Sequence, residues 1–352
     1  MIADVKTILA NSADRGSVSL SARIWRYARP MRFSFDAYVT DVLFVGGQAA
    51  FALADGTIAW ESGARAEAHD GVILCAALHP SGAALVTGGD DGRVVVSRPG
   101  GADRLADVKG RWIDALATSA QSGLIAFAAA RDVHVRDIKD ASFSRCFSHD
   151  RSVAALAFDP KGRRLATATY GAVALWYGRI AEQKPVMLRW AGSHIGVAFS
   201  PDGRFVISSM QEAALHGWRV SDATDMRMGG YPAKIRSLAF LDNGLWLATS
   251  GAQGVVLWPF AGSQGPMGKQ ATQIGFDDSA TVARVAGSAS DSILAAGLDD
   301  GRVWACSLRS EKIELIKAEK GPPITALAVL GRDRVAWGDD SGGAGVEALP
   351  PL

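Results

Sequence analysis

One pattern returns along most of this chain: an apolar run, a turn containing Gly or Pro, a second run, another turn and a third run. It is clearest from Ser152 to Trp176, SVAALAFDPKGRRLATATYGAVALW. There Val153, Leu156 and Phe158 lead into the turn Asp159-Pro160-Lys161-Gly162, Arg164 to Thr169 form the second run, and Ala172 to Trp176 follow a break at Gly171. Gly and Pro between short β-rich runs are hairpin punctuation. Aligned on the first residue of the inner run, the copies begin at Val39, Ile73, Ile113, Val153, His194, Ile235, Val282 and Ile324, 34 to 47 residues apart.

A period near 40 with three recognisable strands predicts a fourth strand in each connection, such as Pro185 to Trp190 or Lys312 to Lys317. Such a unit cannot bury both faces alone, and radial stacking of neighbours solves the problem. The expectation is an all-β fold, a single β-propeller of four-stranded blades over residues 36–352, with eight blades, or seven if the weak first copy is an elaboration. The eighth copy has room for only three strands. The N-terminal segment, residues 1–35, is therefore expected to supply a ring-closing strand from Val18 to Tyr27, and Val5 to Asn11 reads as one or two helical turns.

The formal net charge is +1, from 37 basic and 36 acidic residues, which argues against a general nucleic-acid binder. The start MIADVKTILANSADRG lacks the basic head and long apolar centre of a secretory signal, and nothing approaches the ~20 apolar residues of a membrane span. These features point to a cytoplasmic protein without a membrane partner. Cys75, Cys146 and Cys306 are widely separated and read as buried thiols, not as a metal or redox set.

Phe199-Ser200-Pro201-Asp202-Gly203, the runs Leu165-Ala166-Thr167 and Leu247-Ala248-Thr249, the turns Asp91-Gly92 and Asp300-Gly301, and Trp176, Trp218 and Trp258 at the ends of third strands together resemble the WD-repeat family of β-propellers. Trp60 is offset by about one residue. The Trp-Asp dipeptide is absent, and no copy keeps the whole His, Ser/Thr, Asp, Trp set: repeat four has His149, Thr167 and Trp176, and repeat two has His69, Thr87 and Asp91. The resemblance implies a non-enzymatic scaffold that binds a protein or peptide, without cofactor, and places His69 and His149 as internal hydrogen-bond partners.

No constellation of catalytic residues is evident. Gly262 to Lys269, GSQGPMGK, looks like a phosphate loop, but Ser263 stands where the first Gly is needed and Gln270 replaces the magnesium-binding hydroxyl. There is no His-Glu-x-x-His helix and no Gly-x-Ser-x-Gly elbow. Two regions carry functional expectations. In the family, the turn between the second and third strands opens on the same face as the connection between blades. Repeats seven, eight, one and two place Asp299-Asp300, Asp339-Asp340, Asp55 and Asp90-Asp91 there. Repeats three to six instead offer Arg131-Asp132, Tyr170, Gln211-Glu212 and Gln253, with Arg111, Trp112, Arg151, Tyr231, Lys234 and Arg236 on the entering connections. Exposed Arg, Trp and Tyr are favoured interface anchors, so this half is expected to hold the partner, with His194 at its rim. The protein is expected to be a monomeric propeller within an assembly.

The second region is the channel, where the first strands carry Asp41, Asp114, Arg236 and Arg284 among small and apolar residues. Either these charges pair with one another in a water-filled channel or they form a site for a small ligand or ion. A propeller enzyme or small-ligand-binding protein using the channel mouth, through Asp41, Asp114, His194, Arg236 and Arg284, is thus the alternative function. Polyanion binding on the basic half is a third reading.

Overall fold

A computed structural model describes residues 3–4, 30–310 and 312–352 of the protein. Short antiparallel strands account for nearly all regular structure, and the chain forms a single β-propeller of four-stranded blades. Repeat two shows the unit: Ile73–Leu78, Leu85–Gly89, Arg93–Arg98 and Gly101–Asp107 pair in that order from the axis outward. The first strands of neighbouring repeats pack side by side around the axis, with Ile324–Leu330 of the last repeat against Val39–Val45 of the first.

Second strands are covered on both faces by adjacent repeats, which is why they are continuous apolar runs. Leu124–Ala129, Phe205–Met210 and Ile293–Leu298 are buried throughout. The core is accordingly a ring of seams between repeats. Phe51, Leu53, Ala336 and Val346 join the first repeat to the last. Leu124, Val135, Leu156, Leu165 and Trp176 join repeats three and four, and Phe205, Ile207, Phe240, Leu247 and Trp258 join five and six.

Hydrogen bonding divides the strands into seven sheets, not eight: six have four strands and one has seven. The count falls because repeats four and five share a sheet. Arg164–Tyr177 runs on through the second and third strands of repeat four, and Val186–Phe199 runs from its fourth strand into the first strand of repeat five. Tyr170 pairs with Ser193 across this junction, and Gly171 and Gly192, at φ of 84° and 120°, turn the chain where a gap would otherwise separate the blades. The expected closing strand Val18 to Tyr27 and the helical turns at Val5 to Asn11 lie outside the described residues. In the last sheet, Met31–Ser34 occupies the fourth position, antiparallel to Gly343–Ala348.

Inside the blades, the partial polar sets expected from sequence are hydrogen-bonded. His149 Nε2 meets Thr167 Oγ1 at 2.8 Å and accepts from Trp176 Nε1 at 3.1 Å. His69 bridges Thr87 and Asp91 at 2.9 and 3.0 Å. Repeat six rebuilds the arrangement with a different residue: Tyr231 Oη meets Thr249 Oγ1 at 2.6 Å and accepts from Trp258 Nε1 at 2.6 Å. In repeat five, His194 enters from the first strand and reaches Ser208 Oγ at 2.8 Å. Repeat one keeps its Trp but has Phe35 and Leu53 at the positions of the His and Thr, and Trp60 Nε1 is buried without a partner among the described residues.

Tyr231→Phe leaves Trp258 Nε1 without an acceptor in the core. It is expected to lower unfolding free energy by about 1–3 kcal/mol in denaturant titration. Tyr170→Phe, at an exposed position, is expected to stay within about 0.5 kcal/mol of the wild type. Equal effects would contradict the internal role of Tyr231.

Candidate functional site

Each turn between second and third strands packs against the connection entering the next repeat. A Cβ on Gly92 would lie 2.4 Å from the Val108 carbonyl, and one on Gly342 would lie 2.2 Å from the Phe35 carbonyl. Both glycines have positive φ, so conformation and close approach each demand Gly. The same meeting in repeat three is made by backbone bonds, with His149 N donating to Arg131 O at 3.0 Å and Val153 N to Ala130 O at 2.8 Å. These turns and connections therefore share one face.

On that face the two expected halves differ in how their charges are occupied. The acidic half is largely satisfied by its own turns. Arg302 reaches Asp277 and Asp300 at 2.6 and 2.7 Å, Arg93 reaches Asp70 at 2.7 Å, and Asp339 Oδ1 accepts from Ser341 and Gly343 backbone N–H groups at 3.0 and 2.8 Å. Asp277 is held at about 2; burial acts against the shift, and bonds from Ser279 and the Arg302 guanidinium outweigh it.

Arg111, Arg131 and Arg151 are exposed, and none forms an ion pair among the described residues. Trp112, next to Arg111 in the connection entering repeat three, and Tyr170, in the turn of repeat four, are 65% and 64% exposed, the two most exposed large hydrophobic side chains described. Gln211 and Glu212 are also exposed, with Glu212 Oε1 accepting from Ser193 N at 3.2 Å. Lys234 is half-buried and Arg236 exposed.

Two expected partner-binding residues are instead internal. Tyr231 is buried in the Thr249–Trp258 bond set. His194 is fully buried, held by Ser208 and by the Trp190 carbonyl at 3.1 Å, and burial pushes its pKa down. Among the cysteines, Cys306 is buried but Cys146 is exposed, contrary to expectation, because it alternates outward on a fourth strand. The Gly262–Lys269 loop borders a surface cleft of about 520 Å³ with Trp190, Asp225, Met226 and Arg227. Lys269 Nζ donates to the Ala261 carbonyl, so the loop does not present it as a phosphate ligand.

The channel is organised by a recurrent β-bulge. In repeats one, two, five, seven and eight the pairing slips by one residue between the strand's first position and the second residue after it, as at Val39/Asp41 and Val282/Arg284. A bulge re-aims the following side chain. Asp41, Cys75, Gly196, Arg284 and Ala326 all follow such a slip. Side chains of these strands also stitch neighbouring repeats: Cys75 Sγ to Ile113 O at 3.2 Å, Arg284 Nε to Thr325 O at 2.6 Å, and Thr325 Oγ1 to Val39 O at 2.6 Å.

The channel charges influence one another without touching. Among the described residues none of Asp41, Asp114, Arg236 and Arg284 forms an ion pair, which removes the expected mutual pairing. Asp41 remains partly accessible to solvent although it lies deep in the ring; burial lifts its pKa to about 6, against a bond from Val42 N and the field of Arg284. Burial also raises Asp114 and lowers Arg284, the latter with help from neighbouring Arg236. Burial and the nearby Asp114 push the Cys75 thiol up, so it is not an activated nucleophile.

Comparison with known proteins agrees with this architecture. Residues 61–96 match the family model described as WD domain, G-beta repeat. The fold is similar to that of the computationally designed Ika8 protein, at 20% identity and a TM-score of 0.72, over 90% of this chain and 98% of that one. It is also similar to the β-propeller domain of Myceliophteria thermophila Cps50 (Swd1), at 14% identity and a TM-score of 0.62, over 79% of this chain and 97% of that domain. No curated protein matches the chain. Among the described residues no helix is long and apolar enough to cross a membrane.

The unpaired state of Asp41 has a measurable consequence. Above about pH 6 Asp41 is charged in both folded and unfolded states and the fold carries its burial cost. Between 3.8 and about 6 the folded protein binds the proton that the unfolded chain releases, and below 3.8 both forms are neutral. Asp41→Asn is therefore expected to stabilise the protein at neutral pH by about 1–3 kcal/mol. The gain should shrink as pH falls through this window and vanish below it, as read by denaturant titration at several pH values. A pH-independent effect would show that Asp41 carries no such burden.

Proposed function

We propose that the protein is a rigid interaction platform that binds a protein or peptide through the third and fourth repeats. The observation that carries this reading is the presence on one face of exposed Trp112 and Tyr170 together with Arg111, Arg131 and Arg151, which form no ion pair among the described residues. Aromatic rings supply contact area at small entropic cost, and unpaired guanidinium groups can form bidentate bonds to carboxylates without breaking an existing pair. Gln211 and Glu212 extend the same rim into repeat five. The favoured partner is thus a segment with acidic and apolar residues.

The backbone bonds from His149 to Arg131 and from Val153 to Ala130 fix the turns that carry these side chains. A platform fixed in this way loses little conformational freedom on binding. The segment matching the WD domain, G-beta repeat model supports the reading, since scaffolding of protein partners is what the resemblance implies. We further infer a non-enzymatic, cytoplasmic role: the reactive groups seen in the channel are a high-pKa thiol and carboxylates without a neighbouring base.

Affinity capture from the source cell followed by mass spectrometry is expected to yield a stoichiometric partner. Trp112→Ala or Arg151→Ala should weaken its binding by about 2 kcal/mol, roughly 30-fold, in titration calorimetry, while the melting temperature stays near that of the wild type. The combined Arg111, Trp112, Arg151 and Tyr170 alanine variant should abolish capture. Retained binding in that folded variant would falsify the assignment of this face.

A further inference from the structure

We propose that the outer edge of repeat five is a strand-docking site whose occupant is the N-terminal segment of the same chain, added as a fifth, parallel strand with Ile2 against Trp190 and Met1 against Met267. The inference stands independently of the partner-binding face.

The fourth strand of repeat five, Asp225–Gly229, pairs antiparallel with Leu215–Arg219 on its inner side. On its outer side Ala3 and Asp4 pair with Met228 and Gly229 in parallel. Among the described residues no other repeat carries a strand beyond its fourth. The contact covers only one end of the edge. Asp225, Met226 and Arg227 have no outer strand partner among the described residues, and an open edge presents N–H and C=O groups ready to pair.

The cleft of about 520 Å³ lies beside those three residues. Side chains of residues opposite one another in a sheet share a face. Arg227 is opposite His216 and Asp225 opposite Trp218; the His216 ring stacks on Trp190 at 3.9 Å between centroids, and its Nε2 lies 3.3 Å from Asp225 Oδ2. Trp190 therefore walls the cleft on the face of Asp225 and Arg227. Met226 and Met228 lie on the other face, in the core seam with Phe240 and Trp258 of repeat six, and Met267 packs against that seam. The lining thus wraps around the strand, aromatic on one side and thioether on the other. A further strand fills such a trough, because its backbone bonds to the edge while alternate side chains go to the two walls.

The direction of the existing contact names the occupant. In parallel pairing, the register that sets Ala3 opposite Met228 sets Ile2 opposite Arg227 and Met1 opposite Met226. Ile2 then shares the face of Arg227 and Trp190, and Met1 shares that of Met226 and Met267. Both side chains are apolar, as the walls are. Supply from the same chain is within reach: residues 5–29 can span up to about 80–90 Å, against a radius of gyration of about 20 Å for a chain of this length. A tethered strand also docks at a high effective concentration.

The test is disulfide trapping in the full chain. With exposed Cys146 replaced by Ser, the Ile2→Cys/Arg227→Cys variant is expected to form an intramolecular disulfide on mild oxidation, read by intact mass and non-reducing electrophoresis. Ile2→Cys with Asp103→Cys, on the exposed fourth strand of repeat two, should form little. In hydrogen exchange, Ile2→Asp should speed exchange of the Asp225–Gly229 segment at least about threefold and leave the other repeats unchanged. The four strands of repeat five are untouched by the Ile2 changes and Arg227 is exposed, so these variants are expected to fold, as checked by circular dichroism and thermal melting. The alanine variant of the Arg/aromatic face should form the same disulfide, which separates failure here from failure of the platform reading. No disulfide at Arg227, an equal yield at Asp103, a disulfide-linked dimer, which would make the occupant a second copy, or unchanged exchange in Ile2→Asp overturns the proposal.

Discussion

Each repeat presents two apolar faces and can cover neither by itself, so its stability exists only in the seam with the next repeat. Those seams run through the whole chain and return from Val346 and Ala336 to Phe51 and Leu53. Second strands such as Leu124–Ala129 are the part of the unit buried on both sides, and at about 25 cal/mol per Å² of apolar area they carry most of the favourable energy of the fold. First strands lie nearest the axis, where crowding is greatest, and there the seams become polar as well: Arg284, Thr325 and Cys75 each donate to the backbone of the next repeat. The ring thus joins apolar packing further out to directional bonds at its centre.

This arrangement leaves the turns as the free variable. A turn between second and third strands must reach the next connection closely enough that Gly92 and Gly342 admit no side chain, yet its outward residues are unconstrained by the core. In half of the ring those residues are aspartates used up by their own turns and by Arg93 and Arg302. In the other half the turns carry Arg131, Tyr170, Gln211 and Glu212, and among the described residues neither Arg131 nor Arg111 and Arg151 on the connections forms an ion pair. Charge that the fold does not consume is what the proposed recognition face rests on, and net charge near zero conceals the difference between the two halves.

The period of the repeat was enough to locate every first strand, because apolar runs and Gly-containing turns report directly on strand and hairpin chemistry. Register was harder to read. His194 and Tyr231 look like rim residues when each is judged by its distance from the strand start, yet both serve as the hydrogen-bond hub of their blade. The spacing held a clue for Tyr231: it precedes Thr249 and Trp258 by the same intervals that separate His149 from Thr167 and Trp176. His194 needed the structure, since nothing in its spacing shows that a residue of the first strand turns inward to Ser208. The merging of repeats four and five into one sheet is of the same kind: Tyr170 and Ser193 pair across a junction that composition marks as a break. The ion pairs of the acidic half and the lack of any among the described channel residues were likewise invisible, because they depend on side-chain directions a few ångströms apart.

The channel charges are not a requirement of the fold, and the molecule itself supplies the comparison. Gly196 and Ala326 follow the same register slip as Asp41 and Arg284, and those repeats form their sheets with no charge there. A buried, unpaired carboxylate lowers stability where an Ala would not. Arg284 offsets part of its own cost through the Thr325 carbonyl, but Asp41 has only one backbone bond and its pKa is raised, the mark of a group whose charged form the protein alone does not satisfy. Packing therefore explains why side chains at this position must be small or able to bond across the seam, and it does not explain why one of them is an aspartate.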